Sequence, residues 1–362
     1  CIPVGEGEQK MERMLSAVRR CLVVSAPPLE LEVAGSRLVL IGTHDGQFHC
    51  DESLATAMLA FLPRFQDGSQ IPVIVRTRNP EFWEQCEFLV DVGGVYDPEK
   101  NRLDHHQRSF QEALDGNHSI RMSSAGLVYK HFGEQVLEQA AGEELSGDLK
   151  QLLFRKIYDR FVEHIDGQDN GVEVADGPLN YKISTDLSSR VDRLNIKWNE
   201  EHSVDLENSQ FSKAMEMTAI EFMEQFHALY NVWLPARSLV EEAFQGRNEV
   251  HPSGKIMVLR TMCPWHSHIF DVEKQAGCEG EVLYVLFQDV KGSWRVRATP
   301  SAESSFANRK ALPEAWRGIR DAELSDLTGI PGCIFVHASG FIGGNETFEG
   351  ALSMAVQALD SD

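Results

Sequence analysis

From Arg37 onward the chain alternates short apolar runs with longer stretches in which apolar residues return every third or fourth position. The runs at 37–42 (Leu38, Val39, Leu40, Ile41), 71–77 (Ile71, Val73, Ile74, Val75) and 87–92 (Phe88, Leu89, Val90) predict strands, with another near 101–105. A helical stretch from Asp51 to Leu62 separates the first two, and that rhythm predicts βαβ units in a mostly parallel sheet. Helices follow at about 123–141, opened by Ser123-Ser124, and at 147–166, where Leu149, Leu152, Leu153, Ile157, Phe161 and Ile165 obey helical spacing. A longer helical stretch, 209–246, carries Met215, Ala219, Phe222, Phe226, Leu229 and Trp233 on one face and is broken at Pro235; such a stripe reads as core. After the turn-rich His251-Pro252-Ser253-Gly254, strands return at 255–261, 281–288, 293–298 and 333–337, followed by a helix near 346–359.

The expected fold class is therefore α/β. A domain over 37–245 carries a mostly parallel, doubly wound sheet, and a smaller α/β domain covers 252–362, with the boundary between about 240 and 254. The length of 362 residues fits two domains at roughly 150 each. Hydrophobic residues at 42% and charged ones at 25% are ordinary for a globular chain. No apolar run approaches the roughly 18 residues that span a bilayer, so no membrane partner is expected. Residues 11–26 bear Arg13, Arg19 and Arg20 against the single acid Glu12, and Pro27-Pro28 follow. That composition reads residues 1–36 as a mitochondrial targeting leader outside the fold; the plain alternative is an exposed first helix.

Seven scattered cysteines without C-x-x-C pairs point to a reducing compartment. The net charge of −21 speaks against a broad basic face for nucleic acid, although an acidic chain still binds a polyanion where metal ions and a few arginines line one groove.

Four segments of the first domain end in metal-type ligands: His44-x4-His49-x-Asp51 after the first strand, Asp91 before Gly93-Gly94, Asp104-His105-His106, and Asp166 with Asp169 at the end of a helix. Functional groups collect beyond the carboxyl ends of parallel strands, and carboxylates gathered there repel one another unless cations neutralise them. A pair of divalent ions is the natural neutraliser, and mixed imidazole and carboxylate ligands suit Mn, Fe, Co or Zn better than Ca. Two such ions about 3.5–4 Å apart serve in-line attack on phosphorus, so phosphate ester or anhydride hydrolysis is the chemistry expected. Glu52 opens a helix and reads as a dipole-favouring residue, and Asp45 has a weaker claim.

In the second domain, Phe335 to Asn345 reads as a strand, a Gly-rich loop and a helix start that would point N–H groups at an anion; the alternative is a tight turn capped by Asn345. Arg295 and Arg297 alternate along one strand and either bind phosphate or face solvent, as do Arg76 and Arg78. Pro264-Trp265-His266-Ser267-His268 reads as surface or packing, since no acids accompany it. Ser339 beside His337 has no third orienting group for a nucleophile.

The ordered set His44…Asp51, Asp91, Asp104-His105-His106 and Asp166/Asp169 resembles the DHH phosphoesterase superfamily. The phrases THDGQFHCDE, VDVGGVYDP, DHHQRSF, SSAGLVY, WLPAR, Ala315-Trp316-Arg317-Gly318 and GIPGCIFVHASGFIGG, in order from about residue 40, resemble more closely the melanocyte-proliferating-gene family of metal-dependent 3'-5' exonucleases. The resemblance implies an RNA exonuclease of mitochondrion and nucleus using two divalent ions, manganese favoured and magnesium the alternative. It implies metal ligation by His44, His49, Asp51, Asp91, His105 and one of Asp166 or Asp169, with Asp91 as the bridge. Asp104 would orient the histidines, His106 would face the substrate phosphate, and His337, Gly343, Gly344 and Asn345 would join Arg295 and Arg297 in holding substrate. One departure stands out: the superfamily's first motif is His-x3-Asp-x-Asp, and here His49 stands in for the first Asp, one residue later. The competing readings are a small-substrate phosphohydrolase, acting on pyrophosphate or short oligonucleotides, and a non-catalytic metal-binding regulatory protein.

Overall fold

The computed structural model describes residues 4–303 and 305–361. The chain divides into two compact units, Cys1–Asn231 and Val232–Asp362. The first is built on a seven-stranded sheet of β1 (Leu22–Val24), β2 (Glu32–Val33), β3 (Ser36–Thr43), β4 (Gln70–Arg76), β5 (Phe88–Val90), β6 (Tyr96–Asp97) and β7 (Arg102–Leu103). The order is β1-β4-β3-β5-β7-β6, with β2 hairpinned onto β3. Its first five strands in that order run parallel and only β6 and β2 are antiparallel to their neighbours. Residues Leu38 to Thr43 of β3 are all buried, as expected of a parallel strand covered on both faces.

The helices of this unit are α1 (Val4–Arg19), α2 (Cys50–Ala60), α3 (Pro80–Trp83), α4 (Ser124–Ala141), α5 (Gly147–Ile157), α6 (Glu163–Asp169), α7 (Leu187–Asp192) and α8 (Val204–His227). Every residue of α2 is buried, and a helix with no polar face needs neighbours all round; α4 and α8 both pack against it. The stretch expected as one helix over 147–166 is α5, a π-helical turn at Tyr158–Val162, and α6.

Two elements of the segment read as a leader, α1 and β1, pack on the first unit. Met14, Leu15, Ala17 and Val18 of α1 are buried and α1 packs on α8, while β1 pairs with β4 in the register Leu22↔Val73. The reason is the apolar side of α1, which the arginine count obscured: Arg19 instead pairs with Glu216 of α8. The six described cysteines are all free, and Cys1 lies outside the described residues.

The chain passes between units within a π-helical segment, Ala228–Trp233. Pro235 occupies the first turn of α9 (Leu234–Gln245), where a missing N–H costs nothing, so it opens a helix rather than breaking one. The second unit continues with α10 (Arg247–Val250), β8 (Ile256–Leu259), α11 (His266–Ala276), β9 (Tyr284–Gln288), β10 (Trp294–Ala298), α12 (Asp321–Thr328), β11 (Cys333–Val336), β12 (Ile342–Asn345) and α13 (Phe348–Asp360). Its sheet has the order β11-β12-β10-β9-β8, with only β8 and β9 parallel. One face packs Val240, Trp265 and Ile269 from the α9 and α11 side, the other Leu324, Met354 and Ala355 from α12 and α13. Among the described residues no helix is long and apolar enough to cross a membrane.

The expected Gly-rich anion loop is a strand. Gly343 and Gly344 lie in β12, paired on one side with Val296 and Arg295 and on the other with Val336 and Phe335, so their N–H groups serve the sheet. A Cβ on Gly344 would stand 2.6 Å from the Arg295 guanidinium, so the glycine leaves the space that this side chain fills. Asn345 is fully buried; its amide donates to Pro331 O at 2.9 Å and its carbonyl accepts from Thr347 N at 2.9 Å, while Thr347 caps α13. These three residues hold the fold, not an anion.

If α1 is part of the core, Leu15→Ala should lower stability by about 2–5 kcal/mol, read as earlier thermal unfolding. Unchanged melting would show α1 to be dispensable.

Candidate metal centre

The parallel order puts β3, β5 and β7 side by side, with Gly42 opposite Leu89 and Val90 opposite Leu103. Their carboxyl ends therefore release His44, Asp91 and Asp104-His105-His106 along one edge of the sheet. Asp91 turns the chain with φ of 59°, a left-handed conformation that strains a non-glycine residue, and Gly93 and Gly94 follow at 101° and 68°. His49 caps α2, so Asp51 and Glu52 enter in its buried first turn, and the end of α6 brings in Asp169.

Asp91 is the hub. Its Oδ2 lies 3.2 Å from His44 Nε2 and its Oδ1 3.2 Å from His105 Nε2, while Ser124 Oγ donates to Oδ1 at 3.1 Å. Glu52 Oε1 is 3.2 Å from the same His44 nitrogen, and Asp169 Oδ2 is 3.3 Å from His105 Nε2. Three groups could each hold a cation, with ligand atoms within 4.8 Å of one another: His44, His49, Glu52 and Asp91; Asp91, His105 and His106; His49, Asp51 and Asp169. Asp91 is shared by two of these groups and His49 by two.

The electrostatics show what the cluster lacks. Burial, together with Asp91, Asp169 and Glu52, raises the Asp51 carboxyl well above the usual carboxylate range. Burial likewise raises Asp169, with His105 opposing and Asp91 adding to the rise. Burial works against a charged His44, yet Asp91 and Glu52 outweigh it and push the imidazole up to about 10. For Asp91 burial is outweighed by His105 and His44, which hold it low. Both Asp51 oxygens and His105 Nδ1 are buried without a hydrogen-bond partner, and His105 Nε2 faces only the Asp91 and Asp169 carboxylates. Orphaned carboxylate and imidazole atoms aimed at one another are the donor set a divalent ion satisfies, so the residues fit such ions.

His106 is the outward-facing member, with 61% of its side chain exposed. Asp104 orients it by accepting from His106 N at 3.1 Å, with His106 Nδ1 at 2.8 Å, and also accepts from Gly94 N at 2.5 Å. No hydrogen bond links Asp104 to His105, so of the two histidines it orients one.

Asp166 and Asp169 separate cleanly. Asp166 is fully buried and accepts from Ser123 N at 2.9 Å, Ser123 Oγ at 2.7 Å, Gly126 N at 3.0 Å and Tyr158 OH at 2.8 Å. It ties α6 to the start of α4, where Gly126 has no room for a Cβ beside the carboxylate, and it stands outside the three groups. Burial outweighs those hydrogen bonds and raises it to about 6.

Two residues do more than their readings from the sequence allow: Glu52, read as a helix-dipole residue, and Arg76, read as binding phosphate or facing solvent. Glu52 does serve the helix start, accepting from His49 N at 2.8 Å, and that capping role concealed its second place beside His44. Arg76 is 1% exposed and donates to Gly46 O at 2.6 Å and Glu207 Oε1 at 2.8 Å, and the same Glu207 oxygen accepts from Gly46 N. It clamps the loop between His44 and His49 and is not available to phosphate. Arg78 is 64% exposed and pairs with Asp45 at 3.2 Å.

The cluster opens into a cavity of about 1340 Å3 whose lining includes Arg78, Trp83, Arg121, Lys182 and Arg193. In the second unit, Arg295 bonds Asp289, Arg297 lies 4.4 Å over the Phe341 ring, and His337 Nδ1 meets Ser339 Oγ at 2.9 Å. His268 is buried there with Nε2 2.8 Å from Trp233 O, which bears out packing.

The molecule is thus an α/β protein with a histidine and carboxylate centre at the carboxyl edge of a parallel sheet. By sequence, residues 40–359 match the MYG1 exonuclease model, described as uncharacterised protein family UPF0160, and the chain belongs to that family. It is 46% identical over 326 residues to the human MYG1 exonuclease, covering 88% of this chain and 85% of that one. The rat MYG1 exonuclease is 43% identical over 357 residues, 96% and 92% of the two chains. The MYG1 protein of Dictyostelium discoideum is 44% identical over 322 residues, 88% and 96%. No solved structure matches.

Asp169→Asn should weaken manganese binding in calorimetry with little change in melting. Asp166→Ala leaves the Ser123, Gly126 and Tyr158 donors unpaired at about 1–3 kcal/mol each and should melt earlier instead. The reverse pattern would exchange their roles.

Proposed function

We propose that this chain is a metal-dependent 3'-5' exonuclease that shortens RNA with two divalent cations, manganese favoured and magnesium the alternative, in the mitochondrion and nucleus. The observation that carries this is Asp91: one buried carboxylate whose two oxygens address two different imidazoles, His44 and His105, and so belongs to two adjoining ligand groups. The relatives named as exonucleases support hydrolysis of nucleic acid. The cavity supports a substrate larger than pyrophosphate, since about 1340 Å3 exceeds the roughly 300–1,000 Å3 that encloses a drug-sized ligand.

On this reading His44, His49, Glu52 and Asp91 hold one ion and Asp91 and His105 reach the other, with Asp51 and Asp169 completing the cage. Bound ions of this kind lower the pKa of water and stabilise charge on attacking and leaving oxygens. His106, exposed and fixed by Asp104, donates from its ring to a non-bridging phosphate oxygen; Asp104 first, then Asp91, raises its pKa. Arg76 keeps the 44–49 loop from shifting when a strand enters. In the second unit Arg297 and His337 remain proposed phosphate contacts, whereas Arg295 is already paired with Asp289.

After chelation and manganese add-back, the protein should release nucleotides stepwise from labelled RNA; DNA and pyrophosphate run in parallel define the preference. Asp104→Asn should slow turnover about 10–100-fold, as for an outer-shell partner, and Asp91→Ala should remove it. Full activity of Asp91→Ala, or hydrolysis of pyrophosphate alone, would overturn the proposal.

A further inference from the structure

Two aromatic side chains besides histidine line the cavity, Phe48 and Trp83. Phe48 is fully buried, with Phe211 edge-on at 5.5 Å and the Arg76 guanidinium at 5.5 Å from its ring. Trp83 is only half-buried, and among the described residues no aromatic ring stacks on it. Its indole N–H donates to Thr77 O at 2.9 Å, and Thr77 N donates to Thr43 O at 2.8 Å, one residue before His44. The ring is therefore fastened through two hydrogen bonds to the strand end that releases the first ligand-type histidine. Its helix is fixed as well: Pro80 opens α3, and the Asn79 side chain accepts from Glu81 N at 3.1 Å.

The basic groups of the lining complement this. Arg121 donates to the Asn170 side-chain oxygen at 2.6 Å and Arg193 to Ser184 O at 2.9 Å. Both are oriented by neutral acceptors, so their charge remains for an anion. An aromatic ring and oriented arginines in one cavity lining can hold a nucleotide by its base and its phosphates together, whereas inorganic phosphate or pyrophosphate has nothing to stack on the ring.

We propose that Trp83 is the platform on which the base of the 3'-terminal nucleotide stacks, setting the terminal phosphodiester at the histidine and carboxylate cluster. The inference rests on the nuclease reading and adds the part of the substrate that is recognised: a nucleobase, of any sequence, because every base offers a π-face. Trp83 is a substrate-binding residue on this account and takes no part in proton transfer.

The test uses the full chain with manganese and two single-stranded oligoribonucleotides that differ only at the 3' end, one intact and one carrying an abasic terminal sugar. On the intact strand Trp83→Ala should raise KM about 10-fold or more with kcat nearly unchanged, and Trp83→Phe should restore most of the loss. On the abasic strand the unaltered protein should already show the raised KM, and Trp83→Ala should add nothing. Equal losses on both strands would make Trp83 merely structural, and no loss on either would leave the base unstacked; both overturn the proposal. If the unaltered protein cuts neither strand, the nuclease reading itself falls, and this subsite falls with it.

Discussion

The first unit is organised by the cost of burying like charges. Asp51, Glu52 and Asp91 are each at most 5% exposed and Asp169 lies beside them, in a region where carboxylates in apolar surroundings favour neutrality. Imidazoles relieve part of this: His44 and His105 hold Asp91 ionised. They do not relieve Asp51, whose oxygens have no donor and whose carboxyl is driven upward. Positive charge from outside the chain would relieve what the imidazoles do not, so the cluster has the donors of a cation site rather than the complete pairing of a buried salt-bridge network.

Much of the surrounding architecture keeps those groups from escaping one another. A helix with a polar face would let Asp51 and Glu52 turn to solvent; α2 has none, being buried along its whole length between α4 and α8. The strain at Asp91 is tolerated because Leu103 O and Ser124 Oγ fix its backbone and side chain. The loop carrying His44 and His49 is locked by Arg76 and Glu207, two residues that a search for metal ligands passes over. Asp166 binds α6 to α4 and thereby sets where α6 ends and where Asp169 stands.

This explains what the sequence could and could not reveal. Strand ends were legible because apolar runs stop at His44, Asp91 and Asp104, and the parallel order that aligns them follows from the βαβ rhythm. Asp166 and Asp169 were indistinguishable because both are acids at the end of one helix; which is sated by Ser123, Gly126 and Tyr158 is a tertiary fact. Gly343-Gly344 looked like an anion loop because glycine marks both ligand approach and tight strand packing, and here the Arg295 side chain fills the space. In the N-terminal segment the arginines stand out in the sequence, whereas the residues that pack it on the sheet unit are Met14, Leu15 and Val18.

The acidity of the chain, −21 overall, bears on the proposed substrate in a specific way. The cavity lining carries the carboxylates of Asp45, Asp51, Asp91, Asp104, Asp169 and Asp192 against Arg78, Arg121, Lys182 and Arg193. In the ionised form that ligation requires, the acids outnumber the bases, and on their own they would repel a phosphodiester from the chemistry. Two divalent ions reverse that sign, so on the proposed reading metal and nucleic acid bind in order, the first creating the field that admits the second. Much of the attraction then comes from the loaded site, in keeping with a net charge of −21, which speaks against a broad basic face that binds polyanions indiscriminately. An acidic protein is on this account suited to a nuclease whose grip on a strand is confined to the end it cuts.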